Sequence, residues 1–304
     1  MSFNQEYIEK TRLLIEVAGQ MDWESCFAIK GGTAINLFYS NLPRLSVDID
    51  LVYGKEASRN EAFEEMITYL EIHAKKLNRL GFDSKRISTS NNNPIGKLIV
   101  SRESCSIIIE PNFIARGTVL KTQKKVLCEK AIEIFQQEIE ARCLDIREIY
   151  AGKMNAFLSR QHPRDIFDMM EYLKGNSLNS IIDVIMVYIL QNNRPFHELL
   201  NPNEIEIVDA YQNSFLGMTR EEVKLETLLE ARTRILAEFK KCISNDHIDF
   251  FISCLKEKPE WDIFKEYKIE TFPGIRWRML NIKKMSAKKK KEEIHKLLEL
   301  KSIT

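Results

Sequence analysis

The sequence predicts an α+β fold for residues 1–175 and an all-helical region for residues 176–304. Short β-rich apolar runs recur between residues 26 and 113, and amphipathic helical patterns lie among them. Beyond residue 113 the β-rich runs fade, and apolar residues recur at helical spacing. Residues 174–177, Lys-Gly-Asn-Ser, favour a break between the two regions. We therefore expect two domains.

The first domain is predicted from two periodicities. Residues 46–52 alternate polar with apolar side chains, which is the period of a half-buried strand. Residues 58–80 carry apolar side chains at helical spacing, which predicts a long amphipathic helix. The further predicted elements are a helix at 4–20, a strand at 26–29, a helix at 34–39, strands at 82–89, 96–101 and 104–113 with turns at 91–94 and 102–103, and helices at 146–159 and 164–173.

The second domain shows helical patterns and no internal repeat. It carries no motif that indicates a chemistry, so its sequence leaves its role open, with acceptor binding as one hypothesis. The predicted helices lie near residues 179–191, 203–213, 219–244, 246–257 and 286–300.

Composition excludes several classes of protein. Of 304 residues, 44% are hydrophobic and 29% charged, with 11 Gly and 8 Pro, so disordered and collagen-like chains are excluded. The longest apolar run, residues 184–190, is far shorter than the ~20 residues of a membrane-spanning helix, and residues 1–6 do not resemble a signal peptide. The six cysteines form no Cys-x-x-Cys pair. We expect a cytoplasmic protein with reduced cysteines and no membrane partner.

Charge is balanced overall and biased in one segment. The net charge is +1, yet residues 271–291 contain eight basic residues and no Asp or Glu. Phe272 and Trp277 lie among these charges, a mixture that suits phosphate contacts and base stacking. The alternative is a solvated helix face followed by a lysine-rich segment. The basic residues are Arg276, Arg278, Lys283, Lys284 and residues 288–291.

Asp48 and Asp50 form the first candidate site. They are two residues apart on a predicted strand, so both side chains leave the same face, roughly 6–7 Å apart at the backbone. Two carboxylates this close favour a cation, and Mg²⁺ takes one or two carboxylates and completes its shell with water and substrate phosphates. Taken alone, the pattern is more often simply the exposed side of a half-buried strand.

The segment before these aspartates strengthens the metal hypothesis. Lys30-Gly31-Gly32-Thr33 lies between a predicted strand and a predicted helix. Glycines let the backbone approach a phosphate, and a helix N-terminus presents free N–H groups to an anion. A phosphate-binding turn is therefore predicted beside a metal site.

Glu110 is a third candidate carboxylate. It ends the apolar run 107–109, where a lone Glu is more often a solvated strand edge unless its strand lies beside Asp48 and Asp50.

Four motifs in this order resemble those of a known family. Over roughly residues 20–175 the sequence resembles the AbiEii/AbiGii toxin family of nucleotidyltransferases. The motifs are Lys30-Gly31-Gly32-Thr33-Ala34, Arg44-x-Ser46-x-Asp48-Ile49-Asp50-Leu51, Ala151-Gly152-Lys153-x-x-Ala156 and Arg160-x-x-Pro163-Arg164-Asp165-x-x-Asp168.

The resemblance implies a fold and an activity. The fold would be that of the DNA polymerase β-like nucleotidyltransferases, in residues 1–175. The activity would be that of a toxin of type IV toxin–antitoxin or abortive-infection systems, and some members resemble enzymes that add nucleotides to tRNA 3′ ends. It also implies an NTP substrate, Mg²⁺ with two ions in the reactive complex, an RNA acceptor, and a cognate antitoxin that is encoded nearby and forms no stable complex.

The resemblance also implies residue roles. The spacing between Thr33 and Asp48 is longer than in the minimal superfamily pattern, although the Arg44-x-Ser46 insertion is typical of this branch. The implied metal ligands are Asp48, Asp50 and Glu110, the implied catalytic residues are Asp48, Asp50, Lys153 and Asp165, and the implied nucleotide-binding residues are Gly31, Gly32, Thr33, Arg44, Ser46, Lys153 and Asp168.

Alternatives stay open for the residues of the last two motifs. Without the motif, Lys153 is typical of a surface lysine. Asp165 and Asp168 share one helical face, where they could orient Lys153 or could simply be a solvated helix start after Pro163.

The sequence thus predicts a Mg²⁺-dependent nucleotidyltransferase toxin that modifies an RNA end, that of tRNA. One alternative is nucleotidyl transfer to a small molecule or a protein hydroxyl. Another is a catalytically silent nucleotide- or RNA-binding regulator, against which the intact Asp48, Asp50 and Lys153 argue.

Overall fold

A seven-stranded mixed sheet forms within residues 3–88 and 95–302, the part of the chain that the computed structural model describes. It belongs to the first of two units, which comprises Met1–Ile149 and Leu216–Glu222. The second unit comprises Tyr150–Phe215 and Val223–Thr304 and is helical. The predicted fold class, α+β followed by a helical region, is confirmed.

The sheet has the strand order β3-β4-β5-β2-β1-β7-β6. Two pairs are parallel, β2 with β5 and β1 with β7, and the other neighbours are antiparallel. The strands are β1 (Phe27–Ile29), β2 (Asp48–Tyr53), β3 (Asp83–Ile87), β4 (Lys97–Arg102), β5 (Cys105–Asn112), β6 (Gln123–Val126) and β7 (Glu140–Cys143).

Helices of the first unit pack on this sheet through their apolar faces. The helix α1 contacts β5 and β2 and is capped by Asn4, whose side chain accepts from the Glu6 N–H. The helix α3 contacts β3 and begins with a capping box between Ser58 and Glu61. The helices are α1 (Gln5–Ala18), α2 (Gly31–Ala34) continued by a π-helix (Ile35–Tyr39), α3 (Arg59–Arg79) and α4 (Glu129–Phe135), and α5 (Ile146–Arg160) begins in this unit.

The second unit has an aromatic core. Phe196 stacks on Phe251 with ring centroids 4.6 Å apart, and Phe250 meets Phe264 edge to face at 4.8 Å. Its further elements are α6 (Pro163–Tyr172), α7 (Ile182–Gln191), α8 (Phe196–Leu200), α9 (Val208–Ser214), α10 (Leu225–Cys242), α11 (Asn245–Leu255), α12 (Pro273–Lys284) and α13 (Ala287–Lys301), with short 3₁₀ turns at Leu178–Ile181, Trp261–Phe264 and Ile269–Thr271.

The expectation that strands end near residue 113 is wrong. β6 and β7 follow, with α4 between them, and β7 pairs with β1 beside the site described below. Each of these two strands has four residues, and the sequence of β6 is Gln-Lys-Lys-Val. A short, charged edge strand lacks the apolar alternation by which strands are recognised.

Several boundaries differ from the prediction. The units divide after Ile149, whereas the predicted domain boundary lies near residue 175, because α6 packs against α10 of the helical unit. The predicted helix at 219–244 begins only at Leu225, since residues 216–222 belong to the first unit, where Thr219 forms a β-bridge with Arg44.

The helix α12 was not predicted, because Pro273 and Gly274 are typical helix breakers, yet a proline is well tolerated in the first turn. The predicted turn at 91–94 lies outside the described residues.

None of the helices in the described part of the chain combines the length and the hydropathy that a bilayer crossing requires. All six cysteines lie in that part of the chain and are free thiols.

Candidate active site

Three acidic residues, Asp48, Asp50 and Glu110, lie on adjacent strands of the first unit. β2 and β5 are parallel, and their register places Asp50 directly opposite Glu110 and Asp48 opposite Ile108. Paired residues on neighbouring strands share a sheet face at about 4.8 Å, so Glu110 lies on the face of Asp48 and Asp50. The condition that favours Glu110 as a third carboxylate is met, because β5 is an interior strand that lies beside β2, although the Glu110 side chain is solvated.

The donor set suits Mg²⁺ bound jointly with a substrate. Asp48 and Asp50 are half-buried and Glu110 is exposed, so water and ligands reach this face. Across residues 3–88 and 95–302, no group of three or more Asp, Glu, His or Cys side chains is arranged to hold a metal ion. Mg²⁺ does not need such a group, because it is commonly held by one or two carboxylates, with water and substrate phosphates completing the shell. The ligand roles stay predictions.

A chain of hydroxyls fixes the segment that leads into Asp48. The Thr33 hydroxyl donates its one proton to the Asp48 carbonyl at 2.5 Å, so the Ser46 hydroxyl, 2.8 Å away, donates to Thr33. The Thr11 hydroxyl donates to the Ser46 carbonyl at 2.9 Å. Thr33 and Ser46 are both buried, and their hydroxyls thereby position the backbone that carries the first carboxylate.

The two glycines make room for two side chains of β2 and its approach. Gly31 has φ +67°, and a Cβ added there would lie 2.7 Å from an Asp50 carboxylate oxygen. A Cβ on Gly32 would lie 2.5 Å from the Arg44 guanidinium. The Lys30 N–H also donates to the Asp50 carbonyl at 3.0 Å. The glycine pair is therefore needed because Asp50 and Arg44 pack against it. This requirement is separate from the predicted close approach of a phosphate to the glycine backbone.

Arg44 lies beneath the glycine turn, away from solvent. It is 2% exposed, and its guanidinium donates to the Leu45 carbonyl at 2.8 Å. Arg44, Thr33 and Ser46 were predicted to bind the nucleotide. The structure shows them as buried supports, whereas the backbone of Gly31 and Gly32 is half-exposed beside the carboxylates. Direct nucleotide contact by any of these residues stays a prediction.

The remaining predicted residues form a second cluster, within the second unit. The Lys153 ammonium on α5 lies 2.9 Å from Asp165 and 3.1 Å from Asp168 on α6. Lys153 is 8% exposed and Asp165 0%. Both alternatives are therefore wrong, since Lys153 is not a surface lysine and the aspartates are not a solvated helix start.

Arg160 completes this cluster. Its guanidinium donates two hydrogen bonds to Asp165, at 2.7 and 3.2 Å. Burial raises the pKa of Asp165, but Lys153 and Arg160 outweigh burial and hold this pKa well below its usual range. Asp165 is therefore ionised at neutral pH. Because two of the three Lys153 protons point at Asp165 and Asp168, at most one is available to a nucleotide phosphate.

His162 is a structural residue that sequence analysis missed. It caps α6, where its Nδ1 accepts from the Arg164 N–H at 3.2 Å. Burial, and then the positive charge of Arg164, lower its pKa to about 4, so the ring is neutral at pH 7 and can accept. Its position directly before Pro163, at the first turn of a helix, was the available indication.

Comparison with protein families identifies the chain. A family model described as nucleotidyl transferase AbiEii toxin, type IV toxin–antitoxin system, matches residues 12–276. The chain belongs to the AbiEii family. It is a nucleotidyltransferase toxin of a type IV toxin–antitoxin system. The resemblance read from the four motifs is confirmed, and membership extends beyond the expected residue 175 to most of the helical unit.

A solved structure supports the fold. MenT4, a nucleotidyltransferase toxin from Mycobacterium tuberculosis H37Rv, superposes with a TM-score of 0.59 at 14% sequence identity, covering 97% of this chain and 92% of that one. At this identity the likeness shows the fold alone. Comparison with curated proteins gives no match.

Proposed function

We propose that this AbiEii toxin transfers a nucleotide from an NTP to an RNA acceptor, the 3′ end of tRNA, in a Mg²⁺-dependent reaction. The observation that carries the proposal is the register of β2 and β5, which sets Glu110 opposite Asp50 and on the face of Asp48. Family membership supports the NTP substrate and a cognate antitoxin. The RNA acceptor is supported by the basic segment 271–291.

Asp48 and Asp50 would hold Mg²⁺, which when bound offsets the negative charge of the triphosphate. Transfer forms a bond between the acceptor hydroxyl oxygen and the α-phosphorus. The bond between the α-phosphorus and the oxygen that bridges it to the β-phosphorus breaks, and pyrophosphate is released. Glu110 is exposed beside Asp50 and is suited to accept the hydroxyl proton. The Thr33 hydroxyl holds the backbone of Asp48, and Gly31 leaves room for the Asp50 carboxylate, so that little reorganisation is needed during the reaction.

Lys153 would contribute a positive charge whose position is fixed by its ion pairs. Asp165 and Asp168 hold its ammonium, and Arg160 holds Asp165, which leaves at most one ammonium proton for a nucleotide phosphate. A lysine held in this way supplies a point charge at a defined place, which is what nucleotidyl transfer requires of the protein.

The test is an assay of the purified protein with each labelled NTP in turn, total RNA, and Mg²⁺ or EDTA. We expect label on tRNA with one NTP, and none with EDTA or with Asp48→Asn. Label on protein or on small molecules in place of RNA would overturn the acceptor. NTP binding with no transfer to any of these would favour the silent regulator.

A further inference from the structure

The helix α12 has two faces of different character. Its inner face contains Ile275, Arg278 and Ile282, all buried. Because successive residues of a helix are 100° apart, five exposed residues fall within an arc of about 120° on the other side of the helix axis. We call these residues the α12 outer face: Arg276, Trp277, Leu280, Lys283 and Lys284.

The inner contacts fix the direction in which the outer face points. The Arg278 guanidinium donates to the carbonyls of Asn193 at 3.0 Å and Arg194 at 2.8 Å, and it lies over the Phe196 ring at 4.7 Å. A Cβ on Gly274 would lie 2.7 Å from the Gln191 side chain, so the start of α12 is closely packed on α7. Arg278 is therefore a structural residue, and the expectation that it belongs to a docking surface is wrong.

The outer face exposes large apolar groups among positive charges. Trp277 is 50% exposed and Leu280 52% exposed, although burial of such side chains is favourable. The Arg276 Nε donates to the Glu270 carbonyl at 3.3 Å, and a neutral carbonyl does not balance the charge of the guanidinium. The positive charge of Lys283 helps to lower the pKa of Glu257, and Glu257 forms an ion pair with Lys290 at 2.6 Å.

We propose that the α12 outer face binds a single-stranded segment of the acceptor RNA, with a base stacked on Trp277 and phosphates contacting Arg276, Lys283 and Lys284. This inference rests on the proposed function. Arg276 and Lys283 are about 10 Å apart along the helix axis, so they can contact different phosphates of one strand. An exposed indole between cations is the combination that single-stranded nucleic acid requires.

The charge pattern favours RNA over a protein partner. Lysines are depleted where proteins meet, and charged residues are depleted at the centre of such interfaces. Here Trp277 lies beside Arg276, and Leu280 lies between Trp277 and two lysines. A protein would desolvate those charges, whereas phosphates neutralise them and release counterions.

The experiment measures binding of fluorescein-labelled tRNA by anisotropy, without NTP, at several salt concentrations. Trp277→Leu retains apolar area and lacks a stacking face, and we expect its affinity to fall roughly 5- to 100-fold. Trp277→Phe retains an aromatic face and is expected to stay within about threefold. Equal affinity of the Leu variant and the unaltered protein overturns the stacking role.

The charges are tested with matched triple variants. Replacing Arg276, Lys283 and Lys284 with Ala should reduce the salt slope by about 2, at ~0.7 per phosphate contact. The control removes one arginine and two lysines that are exposed on α10, Arg234, Lys240 and Lys241, and is expected to bind like the unaltered protein. Identical slopes for the two triple variants overturn the phosphate contacts. Circular dichroism confirms that each variant is folded.

Failure of this inference is distinguishable from failure of the proposed function. If the unaltered protein binds no tRNA, both are overturned. If it binds and labels tRNA while all α12 variants do the same, the proposed function stands and the α12 outer face is not the docking surface. Weaker tRNA binding by the α12 variants with unchanged affinity for NTP supports the inference.

Discussion

The carboxylates of Asp48 and Asp165 lie in two clusters that differ in accessibility. On β2 and β5, Asp48, Asp50 and Glu110 share one sheet face that solvent reaches. On α5 and α6, Asp165 is fully buried between Lys153 and Arg160. Accessible carboxylates can recruit a cation and a substrate, whereas buried carboxylates must be paired within the protein. The same residue type is therefore suited to ligand binding in one unit and to positioning in the other.

The largest expected effect tests the accessible cluster. Asp48→Asn or Asp50→Asn should lower the rate of nucleotide transfer about 10²- to 10³-fold, the range for losing one preorganised electrostatic group. Thermal melting should change little, because the site is partly solvated. Asp83→Asn, an exposed aspartate on β3, is the control and should keep full activity. Normal transfer by folded Asp48→Asn protein would refute the mechanism.

The next effect tests the buried cluster through stability. Asp165→Asn leaves Lys153 and Arg160 facing a neutral amide, and removing one partner of a buried ion pair costs about 3–5 kcal/mol. Denaturant unfolding should report this loss. Glu171→Gln removes a more exposed ion pair with Lys174 and should change the free energy of unfolding by under about 1 kcal/mol. If the two variants are equally stable, the buried cluster contributes no more than a surface pair.

A comparison of Gly31 with Gly81 tests how closely the position of Asp50 must be controlled. Gly31 and Gly81 both have positive φ, but only at Gly31 would a Cβ approach Asp50, since nothing lies within 4 Å at Gly81. Each change to Ala should cost about 1–2 kcal/mol of stability from backbone strain. Gly31→Ala should in addition lower transfer about 10-fold by displacing Asp50, an effect of about 1.4 kcal/mol. Equal activity of the two variants would show that the carboxylate tolerates displacement.

The smallest effect concerns pH and the cap of α6. The folded pKa of His162 is about 4, below its usual 6.5, so the unfolded chain binds more protons between these values. Stability therefore rises with pH from about 4 to 6.5 and is lost as pH falls through this window. His162→Asn keeps a side-chain cap without a titrating group, and its unfolding free energy should vary less over the same range. An unchanged pH dependence would assign the effect to other residues.

Local sequence patterns predicted the carboxylates and the glycine turn, but not the buried side chains that hold them. Strand alternation and the Gly-Gly dipeptide predicted that Asp48, Asp50 and the glycine turn lie together, and Gly31 does pack against Asp50. Their shared function stays a prediction. The burial of Thr33, Ser46 and Arg44 was not predicted, because it depends on the contact of α2 with β2 and on the bridge from Arg44 to Thr219. Contacts between residues far apart in sequence leave no periodic trace in either segment.

The basic segment shows the same division. Its charge and its tryptophan are visible in the sequence, but Trp277 and Arg278 are neighbours there, and in the structure Trp277 is exposed while Arg278 is buried. Because the expected helices omitted α12, the sequence could not separate the buried arginine from the exposed cations. Helical periodicity assigns faces only after the helix itself is recognised.

By itself the sequence determined the α+β class, the two carboxylates of β2 and the family motifs, because each is encoded in residues close together along the chain. Tertiary structure alone decided that Glu110 lies beside Asp50, since β2 and β5 pair across an intervening helix and two strands. It also decided that Lys153 is buried between Asp165 and Asp168. Strand partners and buried ion pairs are selected by the packing of the whole unit, in which many weak contacts are optimised together.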